Sequence, residues 1–196
     1  MIFGIPDKYR FILASRSPRR QQLLRDAGLH FDVRVMEYEE KFPENLTGKA
    51  IAEYLSSQKA QMFRKSVAAD EIIITADTIV WCNGMVLDKP ADYEEAFRIL
   101  TLISGNTHEV ITGVTLLSSE KIFTFSETTN VTFDTLSHGE IDYYITNYKP
   151  FDKAGAYGIQ EWIGLIGNSY IEGSYFNVMG LPVNRLIKEI TSFINK

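Results

Sequence analysis

The run Ile72-Ile73-Ile74-Thr75 constrains this chain more than any other stretch. Four consecutive β-branched side chains lose χ1 freedom in a helix and fit a pleated surface, so the run specifies a strand. Asp77 and Thr78 are expected at its C-terminal end. Asn83-Gly84 then reads as a hairpin turn, because both residues tolerate the positive φ that a two-residue connection needs. Ile79-Val80-Trp81 and Met85-Val86-Leu87 are its flanks.

A second strand-like run, Phe11-Ile12-Leu13-Ala14, leads at once into Ser15-Arg16-Ser17-Pro18. Ser17 is a suitable helix cap and Pro18 a suitable first helical residue. Leu23, Leu24 and Ala27 continue a helical stripe that Gly28 stops. Residues 31–35 alternate as a short strand, and an acidic loop, Glu37-Tyr38-Glu39-Glu40, follows. Ile51, Leu55, Ala60 and Phe63 predict a long helix over 46–67, and a further helix is expected from Tyr93 to Ile103. Residues 110–117 and 122–133 read as two long strands, 139–147 as a polar-faced helix, and 183–194 as an amphipathic helix. Residues 150–182, rich in glycine and aromatics, show no period and read as a long functional loop. Helices and strands mix without strict alternation, which predicts an α/β fold with a mixed sheet. The 196 residues suit a single domain, or one with two closely packed lobes.

Composition excludes several functions. The net charge of −5 argues against a nucleic-acid polymer as partner, since phosphate neutralisation dominates that affinity. It leaves room for a single nucleotide. The one cysteine, Cys82, cannot pair within the chain, lies in an apolar run, and reads as a core residue rather than a nucleophile. His30, His108 and His138 lack metal-ligand spacing and read as structural or surface residues. No run of about 18 apolar residues predicts a membrane helix, and the first residues lack the order of a signal peptide. The expected location is the cytoplasm, with no membrane partner. Neither a P-loop nor a dinucleotide-binding glycine motif is present.

Several segments carry candidate chemistry. Around Ser17-Pro18, a helix N-terminus offers backbone N–H groups to an anion, and Ser15, Arg19 and Arg20 add a hydroxyl and two guanidinium forks. After the isoleucine strand, Asp77 is placed where α/β sheets collect ligands, either to coordinate a divalent cation or to take a proton from an attacking water. Lys89 in Leu87-Asp88-Lys89-Pro90 and Lys59 in the long helix are candidate phosphate partners, and Glu40 is a candidate metal ligand.

Together these segments resemble the Maf nucleotide pyrophosphatases. The resemblance runs in family order through Leu13-Ala14-Ser15-Arg16-Ser17-Pro18-Arg19-Arg20, Ala76-Asp77-Thr78, Leu87-Asp88-Lys89-Pro90 and Ser104-Gly105-Asn106-Thr107-His108 with Thr112-Gly113-Val114. It continues through the segment from Asp152 to Gln160 and that from Gly173 to Pro182. The resemblance implies a mixed, strongly curved sheet flanked by helices, in two lobes with a cleft, of the inosine-triphosphate pyrophosphatase type. It implies hydrolysis of nucleoside triphosphates to monophosphate and pyrophosphate with Mg²⁺ or Mn²⁺. It makes Asp77 the acidic catalytic residue, Ser15, Arg19, Arg20, Lys59 and Lys89 the phosphate side, and Asp77 with Glu40 the metal side. The branch acting on dTTP and UTP is similar at Arg19, Thr78 and Gln160, and a glutamine amide can pair with both N3–H and a carbonyl of uracil or thymine. Glu161-Trp162 follows Gln160 where the family often has a glycine, so the loop around the base is expected to differ in shape. A homodimer is compatible with this reading. Two alternatives stand beside it: hydrolysis of modified pyrimidine nucleotides, and a nucleotide-binding regulator of cell division without significant turnover.

Overall fold

The computed structural model describes residues 8–37 and 40–195. Tyr38 and Glu39 of the acidic loop, and the first seven residues, lie outside the described part. The sheet follows the order β2-β1-β3-β5-β6-β7, formed by β1 (Arg10–Leu13), β2 (Phe31–Val33), β3 (Glu71–Cys82), β5 (Thr107–Leu117), β6 (Ile122–Phe133) and β7 (Asn168–Glu172). β4 (Met85–Leu87) pairs with the end of β3. β1 pairs in parallel with β2 and β3, whereas β3–β4 and β6–β7 are antiparallel, so the sheet is mixed.

Chain contacts divide the molecule into two compact units. The first comprises Met1–Asp77, Thr112–Glu127 and Gly180–Lys196. It holds helices α1 (Pro18–Asp26), α2 (Lys49–Gln61) and α7 (Val183–Asn195). Ile12, Ala60, Phe63, Ile73 and Leu117 form a buried cluster there. The second comprises Thr78–Ile111 and Thr128–Met179, with α3 (Tyr93–Ile103), α4 (His138–Tyr148), α5 (Trp162–Gly167) and α6 (Tyr175–Val178). Its core gathers residues such as Ile99, Leu100, Val131, Phe133, Tyr144 and Ile163.

Elements specified by local chemistry lie where expected. Pro18 opens α1, and Ser17 Oγ caps it by accepting from Arg20 N at 3.4 Å. Asn83 and Gly84 take φ of 51° and 82°, the turn geometry their types allow. α3 spans the expected residues and is capped by Asp92, which accepts from Glu95 N.

Three expectations need correction. The helix over 46–67 is shorter: it begins at Lys49, and beyond Gln61 the N–H groups of Phe63, Arg64 and Ser66 bond three residues back, so the chain tightens into turns. The segment 150–182 is not a bare loop but carries a 3₁₀ turn at Ala154–Ala156, α5, β7 and α6. These elements are too short to show a period and are held by contacts distant in sequence. Finally, the isoleucine strand does not end at Asp77-Thr78; β3 is 12 residues long, Glu71–Cys82, with β5 as its neighbour in the sheet and β4 pairing its last three residues, Val80 to Cys82. Among the described residues, no helix is long and apolar enough to cross a membrane.

Candidate active site

β3 still places Asp77 beyond a strand end, although not its own. Parallel pairing with β1 stops at Leu13↔Ile74, where Ala14 N donates to Ile74 O. Asp77 lies three residues past that point, and its side chain is nearly buried, 8% exposed.

α2 delivers the partner. Its buried face comprises Ile51, Ala52, Leu55, Ser56 and Ala60, and Lys59 lies one turn beyond Leu55 and Ser56. The helix is pinned to the sheet by polar contacts: Thr75 Oγ1 donates to Ser56 O at 2.7 Å, and the Ser56 and Thr115 hydroxyls are hydrogen-bonded at 3.1 Å. Gly113 of β5 faces the helix backbone so closely that a Cβ there would lie 2.2 Å from Ala52 O. From this seat Lys59 Nζ donates to Asp77 Oδ2 and to Glu40 Oε1, the latter at 2.7 Å.

Ser15, Arg19 and Arg20 belong to the same unit. Ser15 is buried, and its Oγ accepts from Ser17 N at 3.2 Å. Arg20 Nη1 donates to Ala76 O at 2.7 Å and reaches Ser15 Oγ at 3.5 Å, while Nε donates to Gly180 O at 2.8 Å. Burial pulls the Arg20 guanidinium below its ordinary pKa, and the negative charge of Asp77 acts against that shift. Arg20 thus ties the start of α1 to the residue preceding Asp77, a bracing role that composition and motif did not reveal. Arg19, half-buried, is the second residue of α1.

The structure brings Lys59 into contact with both Glu40 and Asp77, with Arg20 bonded to the neighbouring strand residue Ala76 and to Ser15. Thr78, Lys89 and Gln160 belong to the second unit. Thr78 follows Asp77 in β3; Lys89 is exposed after β4, where Asp88 O accepts from Gly155 N at 3.3 Å; Gln160 is exposed in the turn after the 3₁₀ segment.

Two carboxylates converging on one ammonium also suit a divalent cation. Asp77 and Glu40 provide hard oxygen donors, and Mg²⁺ sites commonly take one or two carboxylates completed by substrate phosphates and water. Among the described residues, no group of three or more His, Cys, Asp or Glu gathers as a metal cage. The pair therefore fits a cation shared with a phosphate substrate.

The remaining candidates are structural. Cys82 is buried and its thiol pKa is raised by desolvation, which disfavours a thiolate nucleophile. His108 is buried against Phe133 and Tyr157, with Nε2 hydrogen-bonded to the Tyr157 hydroxyl at 2.7 Å and Nδ1 without a partner. Desolvation lowers its pKa from 6.5 to about 4. A depressed histidine pKa favours folding above the unfolded value, and this contribution is lost as pH falls from 6.5 towards 4. The loss amounts to about 2–3 kcal/mol. Urea midpoints should therefore fall more steeply between pH 7 and pH 4.5 in the wild type than in His108→Phe, and parallel pH profiles would refute the assignment.

Comparison with solved structures gives the class first. A HAM1 protein from Coxiella burnetii superposes with a TM-score of 0.51 over 94% of this chain and 99% of that chain, at 14% identity. At that identity the likeness establishes the fold, an α/β architecture shared with the HAM1 group. Residues 10–193 match the family described as Maf-like protein, and the chain belongs to the Maf family. It is 52% identical over 185 residues to the dTTP/UTP pyrophosphatase of Phocaeicola vulgatus, covering 94% of this chain and 96% of that protein. It is 47% identical over 190 residues to the dTTP/UTP pyrophosphatase of Bacteroides thetaiotaomicron, covering 96% and 98%.

Proposed function

We propose that this chain hydrolyses dTTP and UTP to the monophosphate and pyrophosphate in the cytoplasm. The observation that carries the reading is the convergence of Asp77, a buried carboxylate, and Glu40 on the Lys59 ammonium in a Maf chain. A water attacks the α-phosphorus and loses its proton to Asp77. Because Lys59 engages Oδ2, proton abstraction is assigned to Oδ1. The bond from the α-phosphorus to its bridging oxygen breaks, and that oxygen leaves with the electron pair as pyrophosphate. Arg19, Lys59 and Lys89 counter the phosphate charge, and the N-terminus of α1 adds backbone donors beside Ser15. Arg20 holds the strand residue next to Asp77 in place. Asp77 and Glu40 would hold a Mg²⁺ or Mn²⁺, which would supply neutralisation of the triphosphate charge. Gln160, exposed at the tip of its turn, offers a donor and an acceptor to the pyrimidine edge, with Arg19 and Thr78 contributing to selectivity.

Pyrophosphate release from a panel of normal and modified nucleoside triphosphates tests this reading. UTP and dTTP should be cleaved in Mg²⁺ or Mn²⁺ with purines poor, and a chelator should lower release by about 100-fold or more, the scale expected when a metal neutralises phosphate charge. Faster turnover of a modified pyrimidine would move the substrate to that class. A folded protein that releases no pyrophosphate would overturn catalysis and leave the nucleotide-binding regulator.

A further inference from the structure

We infer that Tyr144, Glu161 and Lys153 form a clasp that fixes the turn carrying Gln160, with Glu161 as the positioning residue for pyrimidine selectivity. The inference rests on the proposed role of Gln160 in reading the base.

Glu161 N donates to Gly158 O at 2.9 Å, closing a four-residue turn from Gly158 to Glu161. Ile159 is buried and anchors the turn, leaving Gln160 exposed at its tip. Both ends of the turn meet one hydroxyl. Gly158 N donates to Tyr144 Oη at 3.0 Å, and Tyr144 Oη donates to Glu161 Oε2. A phenol has one proton to give and lone pairs to accept with, so one side chain can serve both ends at once. Burial and Glu161 push the Tyr144 pKa upward, which keeps that proton in place.

The other carboxylate oxygen, Glu161 Oε1, pairs with Lys153 Nζ at 3.2 Å. Lys153 is itself 8% exposed and also donates to Asp152 Oδ1 at 2.7 Å. Gly158 allows the arrangement. A Cβ there would lie 2.8 Å from Glu161 Cδ and 2.9 Å from Gln160 Nε2, so both side chains fold back over a position that must stay bare. A glycine after Gln160 would offer the Tyr144 hydroxyl no carboxylate and Lys153 no partner at that place. The departure from the common family residue is thus the group that holds the turn.

The functional consequence is preorganisation. A turn ordered before the nucleotide arrives does not spend binding free energy on ordering itself. Loosening it should raise KM and blur the distinction between uracil and cytosine, while the step at phosphorus, which uses Asp77, changes little.

The test compares UTP and CTP kinetics, and inhibition by pyrophosphate, in the wild type, Glu161→Ala, Glu161→Gln and Tyr144→Phe. Glu161→Ala should raise the UTP KM by about tenfold and lower the UTP-to-CTP ratio of kcat/KM by about fivefold, with kcat changed less than about threefold. Pyrophosphate inhibition should stay within about twofold of wild type, because the phosphate-binding groups are untouched. Glu161→Gln keeps an oxygen for Tyr144 and should recover most of the selectivity, whereas Tyr144→Phe should resemble Glu161→Ala. Unchanged selectivity in both Glu161→Ala and Tyr144→Phe, with an active wild type, would overturn the clasp alone. So would a parallel loss of kcat, pyrophosphate inhibition and thermal stability, which would mark a general scaffold role. A wild type that cleaves no triphosphate would overturn the clasp and the reading of Gln160 together.

Discussion

Asp77→Asn should lower pyrophosphate release from UTP by about 10³-fold or more while leaving the thermal unfolding midpoint unchanged or raised. The substitution preserves shape but removes the lone pair basic enough to take a proton from water. General-base assistance alone is worth about 10²–10⁴ in rate, and the amide also neutralises one of the two carboxylates that suit a divalent cation. Stability should survive because Lys59 keeps Glu40 as a partner at 2.7 Å. A nearly buried carboxylate held for catalysis is, moreover, a group whose removal commonly relieves strain on the fold. The comparison requires kcat and the melting curve on the same preparation. Turnover within about tenfold of wild type would show that another group accepts the proton and would remove Asp77 from the mechanism.

The second large effect concerns stability. Gly113→Ala should destabilise the protein by about 3–5 kcal/mol, near the upper range for single substitutions. A Cβ at this position would lie 2.2 Å from Ala52 O, 2.3 Å from Ala52 C and 2.6 Å from Glu53 N. These are backbone atoms of α2, so no side-chain rotation relieves the overlap and the helix itself must shift. That shift would stretch the Ser56–Thr115 and Thr75–Ser56 contacts and carry Lys59 away from Asp77, lowering activity even in molecules that remain folded. Gly139→Ala is the matched control. It lies in α4 with nothing within 4 Å of an added Cβ, and should stabilise by about 0.5 kcal/mol through helix propensity. Urea midpoints measure both; equal behaviour of the two variants would refute the close approach of β5 and α2.

Part of this protein was determined within short windows of sequence. Ser17-Pro18 starts α1 and Asn83-Gly84 makes the hairpin because capping and positive φ depend on residues a few positions apart. The isoleucine run and the period of α3 mark their elements for the same reason. The family resemblance made Asp77 and Gln160 residues expected to carry chemistry, yet did not show what each one touches.

Tertiary structure decided the rest. Lys59 was by type a candidate phosphate partner in the long helix; packing of α2 on β5 aims it at Asp77, 18 residues away in sequence. Arg20, a candidate anion ligand by type, spends two donors on Ala76 and Gly180 carbonyls. Glu161 was visible only as a departure from the family, and its use emerges once α4 brings Tyr144 beneath the turn. Residues 150–182 showed no period because their short elements draw stability from partners far along the chain, such as β7 on β6. Sequence determines what neighbours in the chain can bond; which distant groups meet depends on how the strands and helices pack, and that was set only by the folded whole.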